Sequence, residues 1–559
     1  MRKSRFVVVL MTLLLSLMAA AIFYTQEQWE NFPFSVVVEV EGRQENIRCL
    51  KKIPDTFYVF LPGYANRSQM HLQTNRFHPV SVEGTIIDDG TACDVFPLGV
   101  PLRMTYSNRG KTIEQTLIFL QSGQVSTLYL DTVSGNMDYV NQSKENFESG
   151  TLRLYTPSGT LNCAASLQEV GSRGNSTWEE EKKPYRMKLA VEQDLLGMGT
   201  AEDWVLLANA FDSSHIRNKA AYDLACQVQA AYSPEAQWVD LYANGTYLGL
   251  YLLTERNQIS PQRVAIPENE SFLVSMEWPA RTQWEQFPNV LSERGNLLKV
   301  RQNALGQERL LQVWQSVENA IYADDGIDPV SGKRWHELVD VDSWAEQYLL
   351  REVFADGDAC AMSQFFYYSE SSGRVFAGPL WDMDNILNCW NTQTPNVLTA
   401  ARKHVWGPEE EALFYTLCQK GDFRERMLQI YYERFRPLLT VLSSEGFDRY
   451  TGIVSKAASM DAARWDKVYT SESTDEMAAF LKERMAFLEN YWASPEDYCI
   501  LESAGDVQWR DYALRRGESA QALSASLNVQ WIEYESGTPF DLSQPIMHDT
   551  IVRMIERIP

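Results

Sequence analysis

Apolar and polar residues alternate through the first quarter of the chain. Residues 35–40 (SVVVEV) and 56–61 (TFYVFL) are rich in β-branched and aromatic types, while 70–73, 80–83 and 113–118 alternate. A period of two turns one face of a strand toward a core. Gly, Pro, Asn and Asp punctuate the gaps, so residues 32–126 are predicted to form a small β-sandwich. This region carries no chemical motif, and its expected roles are spacing, binding or adhesion. A new unit starts near residues 127–132 (TLYLDT), with mixed strands and helices to about residue 380. The pattern then becomes helical, with apolar residues three and four apart around 411–420, 424–442 and 474–492. Met477, Phe480, Leu481, Met485 and Leu488 make the last of these clearly amphipathic. Beyond about residue 500 the pattern weakens, and the tail is expected to pack on the core or fray.

The first residues change the picture. Met1-Arg2-Lys3-Ser4-Arg5 is basic, and Phe6 to Tyr24 carries no charge. This fits an uncleaved membrane anchor, with cleavage near Ala19-Ala20-Ala21 as the alternative. The preceding basic residues put the bulk of the chain on the outer side, or secrete it if cleavage occurs. The expected organisation is therefore 1–31 anchor, 32–126 β-sandwich, 127–495 main domain and 496–559 extension.

At 559 residues, with 45% hydrophobic and 12% aromatic content, the chain is globular and multidomain. A formal net charge of −24 argues against nucleic acid as a partner, while leaving room for a local phosphate pocket. The eight cysteines form no CxxC pair, which disfavours a zinc ribbon or a thioredoxin site. In an exported chain Cys49 and Cys93 are candidates for a disulfide. No HExxH or GxSxG motif occurs, so a zinc hydrolase or an α/β-hydrolase is a poor fit.

Four stretches carry candidate chemistry. In the first, Arg173 sits in a Gly-containing turn, followed by the alternating run Tyr185-Arg186-Met187-Lys188-Leu189. Arg186 and Lys188 share the strand face opposite the core, an arrangement suited to a polyanion; a solvated strand face is the plainer reading. The second places Asp212 before Arg217-Asn218, where Asp212 or Ser213 can cap a helix and the next two can hold the fold or an anion. The third is Asn244-Gly245 between β-rich runs, a hairpin signal, ending in Glu255. Glu255 is placed to orient Lys188 or to make an ordinary salt bridge. The fourth runs from a helix through Glu352 into Asp356-Gly357-Asp358, then an aromatic strand, then Gly378-Pro379-Leu380-Trp381-Asp382-Met383-Asp384. Carboxylates at i and i+2 project to one side of an extended chain. Holding them together favours a cation such as Mg²⁺ beside a phosphate, with a capping turn as the plain alternative. Phosphoryl transfer needs this division of labour, one carboxylate for the substrate proton and others for the metal. A Ca²⁺ site lacks EF-hand spacing.

In this order the stretches resemble the CotH family of spore-coat-protein-H-like atypical kinases. The matching elements are Arg173-Gly174-Asn175-Ser176-Thr177-Trp178, Lys183 to Leu189, Leu195-Leu196-Gly197-Met198-Gly199, Trp204 to Asn209, Arg217-Asn218, Asn244 to Tyr251, Arg263-Val264 and Trp381-Asp382-Met383-Asp384. The resemblance covers roughly residues 127–495. It implies an α+β, divergent protein-kinase-like domain with a helical C-terminal half. It also implies transfer of the ATP γ-phosphate to Ser or Thr of a surface or spore-coat protein, with Mg²⁺ or Mn²⁺. Lys188, with Arg173 and Arg186, would contact the ATP phosphates, with Glu255 as lysine partner. Asp358 would be the catalytic aspartate, in competition with Asp356, and Asp382 and Asp384 the metal pair. The chain departs from the pattern after the pair, where Asn385 replaces a glycine, and near Ser363-Gln364. The competing expectation is a non-catalytic surface or coat protein built on a pseudokinase scaffold.

Overall fold

The computed structural model describes residues 34–556, except 53–54, 75–78, 109–110, 278–288, 360–361, 390–392, 406–410, 467–473, 506–508 and 525–528. The expected anchor at 6–24 lies outside the described residues, among which no helix is long and apolar enough to cross a membrane. The chain is mixed α+β, with several sheets and a helical C-terminal half. It divides into two units. One comprises residues up to 208 with 237–253 and 453–469; the other comprises 209–236, 254–452 and the chain from 470 onward.

In the first unit, the runs predicted as strands form strands. Phe34–Val40 pairs with Arg43–Arg48 and Met70–Thr74 in a three-stranded sheet. Thr56–Leu61, Lys111–Gln121, Leu102–Asn108 and Val80–Val82 are central to a six-stranded one. Val36, Val38, Phe57, Val59, Leu117 and Phe119 from both sheets lie in one core. The expected Cys49–Cys93 disulfide is not formed. Both thiols are free and buried, and burial pushes the Cys93 thiol up to about 12. Each packs as a small apolar side chain.

The rest of that unit is a closed barrel. Ser126–Thr132 runs antiparallel to Phe147–Tyr155 and closes the barrel by parallel pairing with Ala236–Ala243. The hairpin after Ala236–Ala243 turns at Asn244 (φ +51°) and Gly245 (φ +79°), the two positive angles that a type I′ turn demands. In Tyr185–Asp194, Tyr185, Met187 and Leu189 are buried, while Arg186 and Lys188 are partly exposed on the other face, as the alternation predicts. Inside the unit, Lys182 pairs with Asp461 at 2.5 Å and donates to the Leu250 carbonyl at 2.6 Å.

Asp240 lies in the barrel wall with its side chain fully buried. Tyr247 donates to its Oδ1 at 3.0 Å, but Oδ2 has no hydrogen-bond partner among the described residues. Burial therefore raises its pKa from 3.8 to about 7. Between these values the folded chain keeps a proton that the unfolded chain has released, so this group's stability contribution is lost as pH rises through that window. Asp240→Asn is expected to remove one proton's worth of slope, about 1.4 kcal/mol per pH unit. Urea denaturation at about pH 5 and about pH 8 measures it. An unaltered difference between the two pH values contradicts this placement.

The second unit centres on an antiparallel sheet ordered Asn289–Leu291, Leu297–Asn303, Ser271–Glu277, Gln364–Ser369 and Val375–Ala377. The helix Val341–Val353 packs an aromatic cluster. Trp344 meets Phe366 at 5.0 Å and Phe414 at 5.7 Å, and its indole donates to the Val375 carbonyl at 2.9 Å. Thr474–Ala493 buries Met477, Phe480, Leu481, Met485 and Leu488 as expected. The tail beyond residue 500 does more than pack or fray. Tyr498–Ala504, Arg510–Arg515, Val529–Glu533 and Thr550–Glu556 build a five-stranded sheet with Val397–Leu398. Tyr498–Ala504 is buried almost throughout and includes Glu502 and Ser503, which erases the alternation by which a strand is recognised.

Candidate functional site

The site is built from the end of one helix. Asp340 caps Val341–Val353 by accepting the Ser343 N–H at 3.0 Å. The last turn carries Arg351, and the chain then reverses through Ala355 (φ +53°) into Asp356-Gly357-Asp358. Arg351 is 1% exposed. It pairs with the Asp356 carboxylate and donates to the Ser363 carbonyl at 2.9 Å and the Trp381 carbonyl at 3.3 Å. One guanidinium thus ties together the aspartate loop, the start of the aromatic strand and the head of the aspartate pair.

Gly357 brings the two acidic loops close. Its N–H donates to the Asn385 carbonyl at 3.1 Å, and a Cβ there would lie 2.5 Å from Asn385 Nδ2. Asn385 stands where the family resemblance expects a glycine, and the close approach is met from the opposite loop. The Leu387 N–H adds a bond to the Phe354 carbonyl at 2.8 Å.

The aspartate pair is not in an extended strand, as its spacing suggests. Asp382 has φ +62°, a left-handed conformation that breaks the alternation. Neighbouring polar groups hold it there. Asn218 Oδ1 accepts the Met383 N–H at 2.8 Å, and Ser363 donates to Asp382 Oδ2 at 3.0 Å. Trp381 stacks on Tyr222 with 6.4 Å between centroids. Arg217 donates to the Ile386 carbonyl at 2.8 Å and pairs with Asp212 at 2.7 Å. Asp212 also accepts the Arg217 N–H at 3.0 Å, but the helix's N-cap position is Ile216, so neither Asp212 nor Ser213 is the expected cap. Arg217 and Asn218 are both buried and support the acidic loop from beneath.

These contacts gather like charges. Burial opposes the charge on Asp212, but Arg217 and Ser214 hold its carboxyl below the usual range. Asp356 is raised by burial, partly offset by Arg351. Asp358 is half-buried and pushed up to about 7 by burial and by the Asp356 and Asp382 charges. Asp384 is raised well above the carboxylate range by burial and then by Asp382, Asp358, Asp212 and Asp356. A divalent cation would relieve this repulsion. Among the described residues no three His, Cys, Asp or Glu side chains already converge on a metal-binding point. Mg²⁺ does not require it, because one or two carboxylates with waters and substrate phosphates complete its shell. The donor set of Asp382 and Asp384 fits that need.

The remaining expected residues lie as follows. In the first unit, Arg186 stacks on Phe147 at 4.0 Å and donates to the Lys144 carbonyl at 3.2 Å. Lys188 lies 3.8 Å from Glu202, and the Arg173 N–H donates to the Pro184 carbonyl at 3.0 Å. In the second unit, Glu255 pairs with Arg263 and accepts the Glu235 N–H at 2.8 Å. Lys188 and Glu255 each have a partner within their own unit. Sequence reasoning missed Arg351. Its signal was a cation three residues after Tyr348 and seven after Trp344, in register with the aromatic positions of the helix.

A family model described as CotH kinase protein matches residues 170–488, more than half of the chain. The match takes in the Arg173 turn, the strand with Lys188, the aspartate loop and the aspartate pair. No curated protein matches the chain. The matched span and the ordered motifs within it place this chain in the CotH kinase family.

Proposed function

We propose that this chain is a metal-dependent phosphotransferase that moves the γ-phosphoryl group of ATP to a Ser or Thr hydroxyl of a surface or spore-coat protein. The observation that supports it best is the set of half-buried carboxylates Asp358, Asp382 and Asp384, held in mutual repulsion within a matched kinase-family segment. Asp358 accepts the hydroxyl proton. Burial and neighbouring charge make it a better base than an exposed carboxylate. Asp382 and Asp384 hold Mg²⁺ or Mn²⁺, which supplies charge stabilisation at the phosphoryl oxygens. Asp356, closed off by Arg351, keeps the loop in shape. Lys188, Arg186 and Arg173 are assigned to the ATP phosphates on the order of the motifs.

A thermal-shift titration with ATP and Mg²⁺, repeated with Mn²⁺, tests the reading. Ligand that binds only the folded state at a hundred times its Kd stabilises by about 2.7 kcal/mol. The native protein is expected to show this shift and Asp382→Ala to lose most of it. The absence of any shift with either metal would favour the non-catalytic scaffold.

A further inference from the structure

The family match ends at residue 488, yet the sheet beyond it reaches back to the aspartate loop. Val397 and Leu398 pair with Tyr512 and Asp511. Asn396 and Ala513 exchange two bonds, at 3.0 and 3.1 Å, and Asp511 Oδ2 accepts the Lys403 N–H at 2.6 Å. The residue fixed by this frame is Arg402, 3% exposed. Its Nη1 donates to the Trp509 carbonyl at 3.3 Å, and its Nη2 donates to the carbonyl of Ala359, the residue after Asp358. His404, paired with Glu502 and edge-on to Trp509 at 5.6 Å, anchors the same corner. A guanidinium buried this deeply, bridging a C-terminal carbonyl and a loop carbonyl, is placed to hold one against the other.

We propose that Arg402 is a positioning residue for Asp358, and that the C-terminal sheet, four of whose five strands lie beyond the matched segment, is a working part of the transfer site. The inference rests on the role given to Asp358 above. Arg402 has no hydrogen bond to Asp382 or Asp384, so nucleotide and metal binding stay intact when it is replaced. A misplaced base costs turnover, on the order of a hundredfold for a displacement near 1 Å.

The experiment compares the full-length protein with Arg402→Ala, Arg402→Lys and, as control, Lys403→Ala. Steady-state transfer and hydrogen exchange in the peptide containing residues 356–359 are both measured. Arg402→Ala is expected to lower kcat by about a hundredfold. Its KM for ATP and its thermal shift with ATP and Mg²⁺ should match the native values, and exchange at 356–359 should quicken. Arg402→Lys, which keeps the charge but not the two-pronged fork, should recover part of kcat, and Lys403→Ala should match the native protein. Unchanged exchange at 356–359 in either Arg402 variant overturns the inference, as does an unchanged kcat. If the native protein itself transfers no phosphate, the proposed function fails, and the exchange measurement still decides the positioning claim. If Arg402→Ala does not fold, Arg402→Lys carries both readouts.

Discussion

Asp358→Asn is expected to lower phosphoryl transfer by about a thousandfold while leaving the protein at least as stable as the native form. General-base catalysis contributes about 10² to 10⁴ in rate, and an amide of the same shape cannot accept the proton. The stability half follows from the site's charges. Burial, Asp356 and Asp382 all oppose ionisation of Asp358, so its replacement by a neutral isostere removes repulsion. Activity gained at the expense of local stability is common where like charges are held together. Asp356→Asn should behave in the opposite way. Its carboxylate is fully buried against Arg351 and accepts the Asp358 N–H at 3.0 Å. Replacing it leaves the buried Arg351 charge with only neutral partners, so the melting temperature should fall along with activity. Transfer rates and melting curves on the two variants separate the base from the brace. Loss of activity with unchanged melting in Asp356→Asn, and not in Asp358→Asn, would exchange their roles.

Arg484→Ala is expected to cost about 3–5 kcal/mol of stability, the penalty for leaving a buried charge without its partner. Arg484 and Glu352 are both fully buried and pair at 2.5 Å. Arg484 also donates to the Glu352 carbonyl at 2.7 Å and the Pro395 carbonyl at 2.8 Å. The Glu352 carboxylate accepts the N–H groups of Thr399 at 3.1 Å and Ala401 at 2.7 Å. The pair therefore joins the helix Thr474–Ala493 to the end of Val341–Val353 and to the segment that leads to Arg402. Without Arg484, the buried Glu352 carboxylate keeps only amide partners. Denaturant unfolding measures the loss, and a change below about 1 kcal/mol would mean that the pair is dispensable.

Local features of this fold were legible in the sequence. β-branched and aromatic content located the strands at 34–40 and 56–61, alternation located the first half of the strand at 185–194, and the spacing of Met477, Phe480, Leu481, Met485 and Leu488 located the last long helix. Asn244-Gly245 announced its hairpin because few residue pairs tolerate two positive φ angles. The acidic residues of the candidate site were visible as a motif order. Their support was not. Arg351, Arg402 and Arg484 act on backbone carbonyls up to 132 residues away in sequence, and no local period encodes such a bond. The barrel closes through the parallel pairing of 126–130 with 239–243, which no local pattern reveals either. Asp382 misled because spacing alone implies an extended chain, whereas Asn218 and Ser363 hold a left-handed turn.

The most direct test of the central claim is transfer of the terminal phosphate of labelled ATP to protein, by the full-length chain with Mg²⁺ or Mn²⁺. The account predicts incorporation on Ser or Thr that is abolished by a chelator, by Asp382→Ala and by Asp358→Asn. Incorporation that survives these substitutions, or none from a folded native protein with either metal and a cellular extract as acceptor, would contradict it.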